Sequence, residues 1–195
     1  MLRAFIAIQL SVALKSQIAQ LQARLKQDAG EIKGLAWVKP EAMHLTLKFL
    51  GDIEEADVPK LQSMLETAAL AVPAFRLEAS GLGAFPNTRA ARVIWVGLEG
   101  THDATEALKR LHGGIEQGAA ALGFSAEDRT FTAHLTLARL KDRRAAAGCE
   151  KILAREEMLQ VGAFEARSVA LIRSDLDPRG SIYTTLVEVP LRDAL

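Results

Sequence analysis

The sequence has a single cysteine, no excess of either charge and no long apolar run. Lys and Arg number 24, as do Asp and Glu, so the formal net charge is zero. This balance argues against a protein that coats nucleic acid non-specifically, although it permits a local basic patch around one phosphate. The lone Cys149 cannot form an intramolecular disulfide, which fits a reducing cytoplasm. Because no stretch approaches the roughly 20 apolar residues of a membrane helix, we expect a soluble cytoplasmic protein without a membrane partner.

Motifs that hold metals or nucleotide cofactors are also missing. The histidines and the cysteine show neither His-x-x-x-His nor Cys-x-x-Cys spacing, so no zinc site is predicted. The glycines at 81 and 83 lack the third glycine of a dinucleotide fingerprint, and no Walker A lysine motif occurs. We therefore expect neither a metal nor a cofactor. His102 and His112 fall in a predicted helix, and neither is predicted to be catalytic.

The composition and the apolar patterns predict a folded α+β protein. Hydrophobic residues make up 49% of the chain and charged residues 25%, which allows a sizeable core. The patterns predict the following elements: strands near 5–8, 43–50, 75–79, 92–98, 133–140, 164–173 and 182–189, and helices over about 11–30, 56–70, 102–121 and 144–159. Turns are expected at the glycines 81–83, at 86–87 and at 177–180. This order favours mainly antiparallel sheets.

One tetrapeptide, His-Leu-Thr-Leu, occurs twice and begins at His44 and at His134. Each copy lies in a predicted strand, where side chains two positions apart share a face. His44 and Thr46 therefore point one way and the leucines point into the core, and His134 and Thr136 repeat the pattern. If the two halves of the chain pack as pseudo-symmetric lobes, two imidazoles and two hydroxyls converge on one cleft.

Such a quartet suits the hydrolysis of a phosphodiester. Opening a cyclic phosphate needs a base that activates water and an acid that protonates the departing ribose oxygen. Histidine serves both tasks because its ordinary pKa of about 6.5 makes both protonation states accessible near neutrality. Threonine hydroxyls can donate hydrogen bonds to the non-bridging oxygens. In-line displacement at phosphorus places the entering and leaving oxygens on opposite sides, so one histidine on each flank meets the requirement without a metal.

The two copies resemble the HxTx motifs of the 2H phosphoesterase superfamily. The fuller pattern resembles its RNA 2′,3′-cyclic phosphodiesterases, also called 2′-5′ RNA ligases or LigT-like proteins. The resemblance covers nearly the whole chain and includes these further stretches: 3–8, 37–38, 48–51, 83–86, 91–95, 173–174 and Tyr183. One departure is Ala133, where similar proteins usually carry proline immediately before the second motif.

The resemblance implies a fold and a reaction. It implies one bilobal domain over 1–195, with two pseudo-symmetric lobes around a central cleft and helices on the outer faces. It also implies that His44 donates a proton to the leaving 3′ oxygen, and that His134 activates water to yield a 2′-phosphate end. The identical tetrapeptides by themselves would not assign these two roles.

Two cations are candidates for binding the phosphate. Arg139 matches an arginine that often follows the second motif, but it lies five positions after His134 and should face away from it. It reaches the cleft only if the strand bends or ends near Ala138. Lys48 shares the parity of His44 and is the alternative, although a solvated lysine on a strand edge is the more common explanation for such a residue.

Three aromatic residues could stack a terminal base, as in readers of single-stranded RNA. They are Trp37, Phe49 and Tyr183, and each could instead belong to the core. Phe49 shares the predicted face of Leu45, which favours the core.

The reaction also has alternatives. The same site could join RNA ends through a 2′-5′ linkage, or the fold could serve as a nucleotide-binding module without turnover. The partner could be RNA with a 2′,3′-cyclic phosphate end or a small cyclic nucleotide. A balanced surface and a self-contained cleft make a monomer the expected state.

Overall fold

The computed structural model describes residues 1–29, 34–141, 149, 153, 159–177 and 180–193. Within these residues the strands are β1 (Leu2–Gln9), β2 (Leu35–Trp37), β3 (His44–Ile53), β4 (Phe75–Phe85), β5 (Val93–Glu99), β6 (His134–Leu140), β7 (Gln160–Ala166), β8 (Ser168–Asp175) and β9 (Ile182–Pro190). The helices are α1 (Val12–Ala29), α2 (Val58–Leu70) and α3 (His102–Ala121). No helix in the described part of the chain is long and apolar enough to cross a membrane.

The strands form two sheets in which every pairing between strands is antiparallel. One sheet has the order β3-β1-β8-β9 and the other β2-β6-β5-β4-β7. The prediction of an α+β fold with mainly antiparallel sheets is therefore confirmed. Each sheet takes strands from both halves of the chain, so the lobes do not correspond to sequence halves. The two His-Leu-Thr-Leu strands, β3 and β6, lie in different sheets and contact each other.

Helices α1 and α3 begin at a side-chain cap, and the helices pack through their apolar faces. Ser11 caps α1 because its Oγ accepts a hydrogen bond from the Leu14 backbone N–H at 3.2 Å. One apolar face of α1 is buried: Leu14, Ile18, Leu21 and Leu25. Helix α1 packs on β7, while α2 packs on α3, β8 and β9. Helix α3 contacts β3 of one sheet and β4 of the other, and so joins the two sheets.

One predicted strand is divided in the structure. The apolar run 164–173 belongs to two strands, β7 and β8, which lie in different sheets and are separated only by Arg167. Strand β7 pairs with β4, whereas β8 pairs with β1 and β9. Phe164 and Ala166 at the end of β7 and residues 169–172 of β8 are buried, so one run of apolar residues spans the point where the chain changes sheets.

The predicted turn at the glycines 81–83 is wrong, because these residues lie inside β4. A Cβ at Gly83 would lie 2.2 Å from the Trp95 ring, so glycine is needed there for close approach rather than for a turn. Gly81 has φ +61° where the β4–β5 register shifts. The helix predicted over 144–159 falls outside the described residues except at 149, 153 and 159, and the turn predicted at 177–180 is only partly described.

Candidate active site

A β-bulge lies at the last residue of the first His-Leu-Thr-Leu copy. On β1, Ala7 pairs with Thr46, but the preceding residue Ile6 pairs with Lys48, so Leu47 is left without a partner. Two consecutive residues, Leu47 and Lys48, therefore point into the core. The alternation resumes one position late, and the next side chain, Phe49, turns to the face that carries His44 and Thr46.

The second copy has a bulge at the equivalent position. On β5, Trp95 pairs with Thr136 while Ile94 pairs with Ala138, which leaves Leu137 unpaired. Arg139 then pairs with Val93, two positions from Trp95 and on the same face of β5. Arg139 is therefore exposed on the face that carries His134 and Thr136. Arg139 was expected to share the face of His134 only if the strand bends or ends near Ala138, and the bulge at Leu137 provides this irregularity.

The bulge in β3 contradicts two expectations from strand parity. Lys48 is neither a cleft cation nor a solvated edge residue: it is 4% exposed, and its Nζ donates to Glu116 Oε2 at 2.8 Å and to the Ser125 carbonyl at 2.9 Å. Phe49 is not a core residue, since 63% of its surface is exposed. Both errors have one cause, because a single inserted residue exchanges the two faces of the strand.

The other two candidate stacking residues differ in their surroundings. Trp37 pairs with the core residue Ala138, packs against the core and lies under the Lys26 ammonium, 5.4 Å from its ring centroid. Trp37 is therefore half-buried at the edge of the core. Tyr183 is 37% exposed, and its ring lies edge-on to the His44 imidazole at 5.2 Å.

His44 lies in an aromatic setting on the first sheet. Its imidazole stacks on the buried Phe5 ring at 4.5 Å between centroids. Its Nδ1 lies 3.0 Å from the carbonyl oxygen of Ala42. Since a carbonyl oxygen only accepts, Nδ1–H must donate, and the neutral ring keeps Nε2 as its acceptor nitrogen.

His134 repeats this arrangement on the second sheet. Its Nδ1–H donates to the carbonyl oxygen of Thr132 at 2.7 Å, again two residues upstream. Phe85 meets the ring edge-on at 4.9 Å, and Trp95 lies 6.1 Å away. Both motif histidines therefore share one tautomer and leave Nε2 for a substrate.

Burial and nearby cations favour the neutral form of both imidazoles. Burial lowers the pKa of His44 to about 4, against the Ala42 carbonyl that raises it, and Lys15 and Arg139 lower it further. Burial also lowers the pKa of His134, where the Thr132 carbonyl opposes the shift and Arg139 adds to it. Arg139 is thus a cation that acts on both histidines. A bound anion would reverse these effects and stabilise the imidazolium form.

Several residues around the histidines were not predicted. Lys15 lies in the first turns of α1, donates to the Glu41 carbonyl at 3.1 Å and lowers the pKa of His44. Nothing in its sequence context distinguishes it from a surface lysine. Phe5, Phe85 and Trp95 lie in stretches that carried the family resemblance, but only the fold brings their rings to the histidines.

The third histidine that lies near this region is His112 on α3. Its ring stacks on Phe131 at 4.1 Å, and its Nε2 lies 3.9 Å from Glu116 Oε1. Phe131 immediately precedes Thr132, whose carbonyl orients His134. Thr46 and Thr136 share the strand faces of the two motif histidines, and Arg139 acts on the pKa of both imidazoles, an arrangement that suits acid–base chemistry at a phosphate.

Two antiparallel sheets, each contributing one His-x-Thr strand, define the class of two-histidine phosphoesterases. The chain belongs to the LigT-like phosphoesterase family, because the family model described as "LigT like Phosphoesterase" matches residues 8–95 and 99–183.

Curated relatives extend over most of the chain. An RNA 2′,3′-cyclic phosphodiesterase of Methanothermobacter thermautotrophicus is 31% identical over 184 residues, which cover 94% of this chain and 96% of the relative. A protein of the same name from Aeropyrum pernix is 37% identical over 152 residues, covering 78% of this chain and 84% of the relative.

Solved structures share the fold. A protein of Thermus thermophilus matches with a TM-score of 0.76 and 28% identity, and the match covers 98% of each chain. Escherichia coli LigT complexed with 3′-AMP matches with a TM-score of 0.75 and 23% identity, over 97% of this chain and 98% of that one. This second likeness concerns the fold alone.

Proposed function

We propose that this protein hydrolyses the 2′,3′-cyclic phosphate ends of RNA to 2′-phosphomonoesters. The observation that carries the proposal is the matched pair of imidazoles, each held through Nδ1 by a carbonyl two residues upstream. Relatives named RNA 2′,3′-cyclic phosphodiesterase support this choice among phosphodiester reactions.

The reaction breaks one bond at phosphorus and forms another. Nε2 of His134 takes a proton from water, and the water oxygen bonds to phosphorus. The bond from phosphorus to the 3′ oxygen breaks as the His44 imidazolium donates its proton to that oxygen. The product has a 2′-phosphate and a 3′-hydroxyl, and proton exchange with solvent then resets both imidazoles.

The assignment of donor and acceptor follows the family resemblance, since the pKa values of both imidazoles are lowered and do not separate the two roles. Burial above all, and then Lys15 and Arg139, destabilise the His44 imidazolium, so that once protonated it gives up its proton readily. His134 has a lowered pKa as well, so it is neutral and able to accept a proton near pH 7.

Arg139 is the proposed cation for the non-bridging phosphate oxygens. It lies on the histidine face after the β6 bulge, and it acts on the pKa of both imidazoles. A guanidinium can donate two parallel hydrogen bonds to a phosphate. The hydroxyls of Thr46 and Thr136 share the histidine faces of their strands and are the proposed further donors.

The aromatic residues beside His44 suit the nucleobase of the terminal nucleotide. Phe49 is exposed on the histidine face, and its ring centroid lies 6.1 Å from that of Phe5, which stacks under His44. Tyr183 borders the same rings. An exposed aromatic face next to the phosphate site stacks a base without selecting its identity.

The test is product analysis with an RNA oligonucleotide that ends in a 2′,3′-cyclic phosphate. The reaction is run in ¹⁸O-water with excess EDTA, and ³¹P NMR locates the product phosphate. We expect a 2′-phosphate that carries one ¹⁸O atom. A 3′-phosphate product, or no turnover in EDTA with recovery on adding a divalent cation, would refute the proposed chemistry. Added RNA with a 5′-hydroxyl end tests for joined product, which would indicate a ligase.

A further inference from the structure

Two polar side chains are buried in the described part of the chain, and both lie at the bulges. Gln22 is 2% exposed and Lys48 is 4% exposed, whereas the rest of the buried set is hydrophobic. Burying a polar group costs free energy unless it is hydrogen-bonded, so each needs a specific partner. Their side chains lie at the irregularities in the last residue of each His-Leu-Thr-Leu copy.

Gln22 reaches from helix α1 to the bulge in β6. Its Nε2 donates to the carbonyl oxygen of Leu137 at 3.0 Å and to that of Val38 at 2.8 Å. Leu137 is the residue that the β5–β6 pairing skips. Its carbonyl also accepts from the Val38 backbone N–H at 2.9 Å. One side-chain amide thus ties the inserted residue to the end of β2.

The bulge in β3 has a counterpart from a different helix. Lys48, beside the skipped Leu47, is held by Glu116 on α3 and by the Ser125 carbonyl. In both motif strands, therefore, a buried polar side chain holds the bulge: the Gln22 amide in β6 and the Lys48–Glu116 ion pair in β3.

The bulge in β6 decides where Arg139 points. Without the skipped residue, Arg139 would return to the core-facing parity of Leu135 and Leu137. We propose that Gln22 is a positioning residue, which holds the β6 bulge and thereby keeps Arg139 on the face of the two histidines. Gln22 itself touches no reacting atom, and its effect on catalysis rests on the proposed function.

The experiment compares Gln22→Met with Arg139→Gln, and uses Gln20→Leu as a matched control, because Gln20 is exposed on the same helix. The ring resonances of His44 and His134 are titrated by NMR without substrate. Because Arg139 lowers the pKa of both rings, Arg139→Gln should raise both. Gln22→Met should raise them in the same direction, and Gln20→Leu should match the wild type. This readout needs no activity, so it stays valid if the proposed reaction is wrong.

Kinetics provide the second readout. Arg139→Gln should raise KM for the cyclic phosphate about 10- to 100-fold, as expected for a lost charge-assisted hydrogen bond. Gln22→Met should raise KM about 5-fold and change kcat less, since misplacing a binding group weakens its contact. In the Arg139→Gln background, Gln22→Met should change neither KM nor the histidine pKa values further.

Two results would overturn the inference. One is a Gln22→Met protein that is less stable but keeps wild-type KM and histidine pKa values. The other is an effect of equal size with and without Arg139, which would mark Gln22 as purely structural. If Gln22→Met does not fold, Gln22→Asn gives the same comparison, because its shorter amide cannot reach both carbonyls.

Discussion

The lowered histidine pKa values predict an unusual pH dependence. The pKa of His44 is lowered to about 4 in the ligand-free site. At pH 7 this leaves about one His44 in a thousand protonated, since each pH unit above the pKa costs a factor of ten. The acid must be protonated and the base neutral, and kcat/KM reports both groups in the ligand-free enzyme. Because the pKa of His134 is also lowered, its neutral form already dominates at neutral pH.

We expect kcat/KM to fall as the pH rises. Above the pKa of the second histidine, kcat/KM should decrease about tenfold per pH unit through neutrality, because the protonated acid becomes scarcer. The rate kcat should stay level to a higher pH, because the bound phosphodiester anion raises the pKa of the neighbouring imidazole. The assay is the initial rate on a 2′,3′-cyclic nucleotide from pH 4.5 to 9 at constant ionic strength. An alkaline limb of kcat/KM above pH 7.5, or identical limbs for kcat/KM and kcat, would refute this reasoning.

Two further predictions concern the bulge in β3. Lys48→Met leaves the Glu116 carboxylate partly buried without its cation, so we expect a loss of about 3–5 kcal/mol in the free energy of unfolding, measured with urea. The double variant Lys48→Met/Glu116→Leu should recover much of this loss. A double variant no more stable than the single one would contradict the pairing. Phe49→Ala should raise KM for 2′,3′-cyclic AMP about 10-fold, as expected for a lost base stack, without raising KM for base-free ribose 2′,3′-cyclic phosphate. As a control, Leu70→Ala removes a similarly exposed side chain on α2 and should change neither KM. If Phe49→Ala raised KM equally for both substrates, Phe49 would not stack the base.

Much of the site could be predicted from the sequence because short-range periodicity controls it. His44 and His134 lie in strands as predicted, and the leucines of both motifs are buried. Helix α3 occupies the predicted range, and α1 begins within one residue of its predicted start. These features depend on residues within a few positions of one another, and the sequence displays them directly.

The predictions that were wrong concern side-chain directions that depend on pairing between distant segments. Whether Lys48 or Phe49 faces the cleft is decided by its register with Ile6, on a strand about 40 residues earlier. The direction of Arg139 is decided in the same way by Ile94 and its neighbours on β5. A prediction from strict alternation assumes an unbroken register, and a bulge cannot be recognised from the apolar–polar pattern of one strand alone.

The most direct test of the central claim is single-turnover hydrolysis by histidine variants. An excess of wild-type, His44→Ala or His134→Ala protein is mixed with an oligonucleotide that carries a 2′,3′-cyclic phosphate, and the chemical step is timed. We expect each variant to lose about 10²- to 10⁴-fold, the usual contribution of one acid–base group, with folding unchanged by circular dichroism. If either variant opened the cyclic phosphate at the wild-type rate, the two-histidine mechanism would be contradicted.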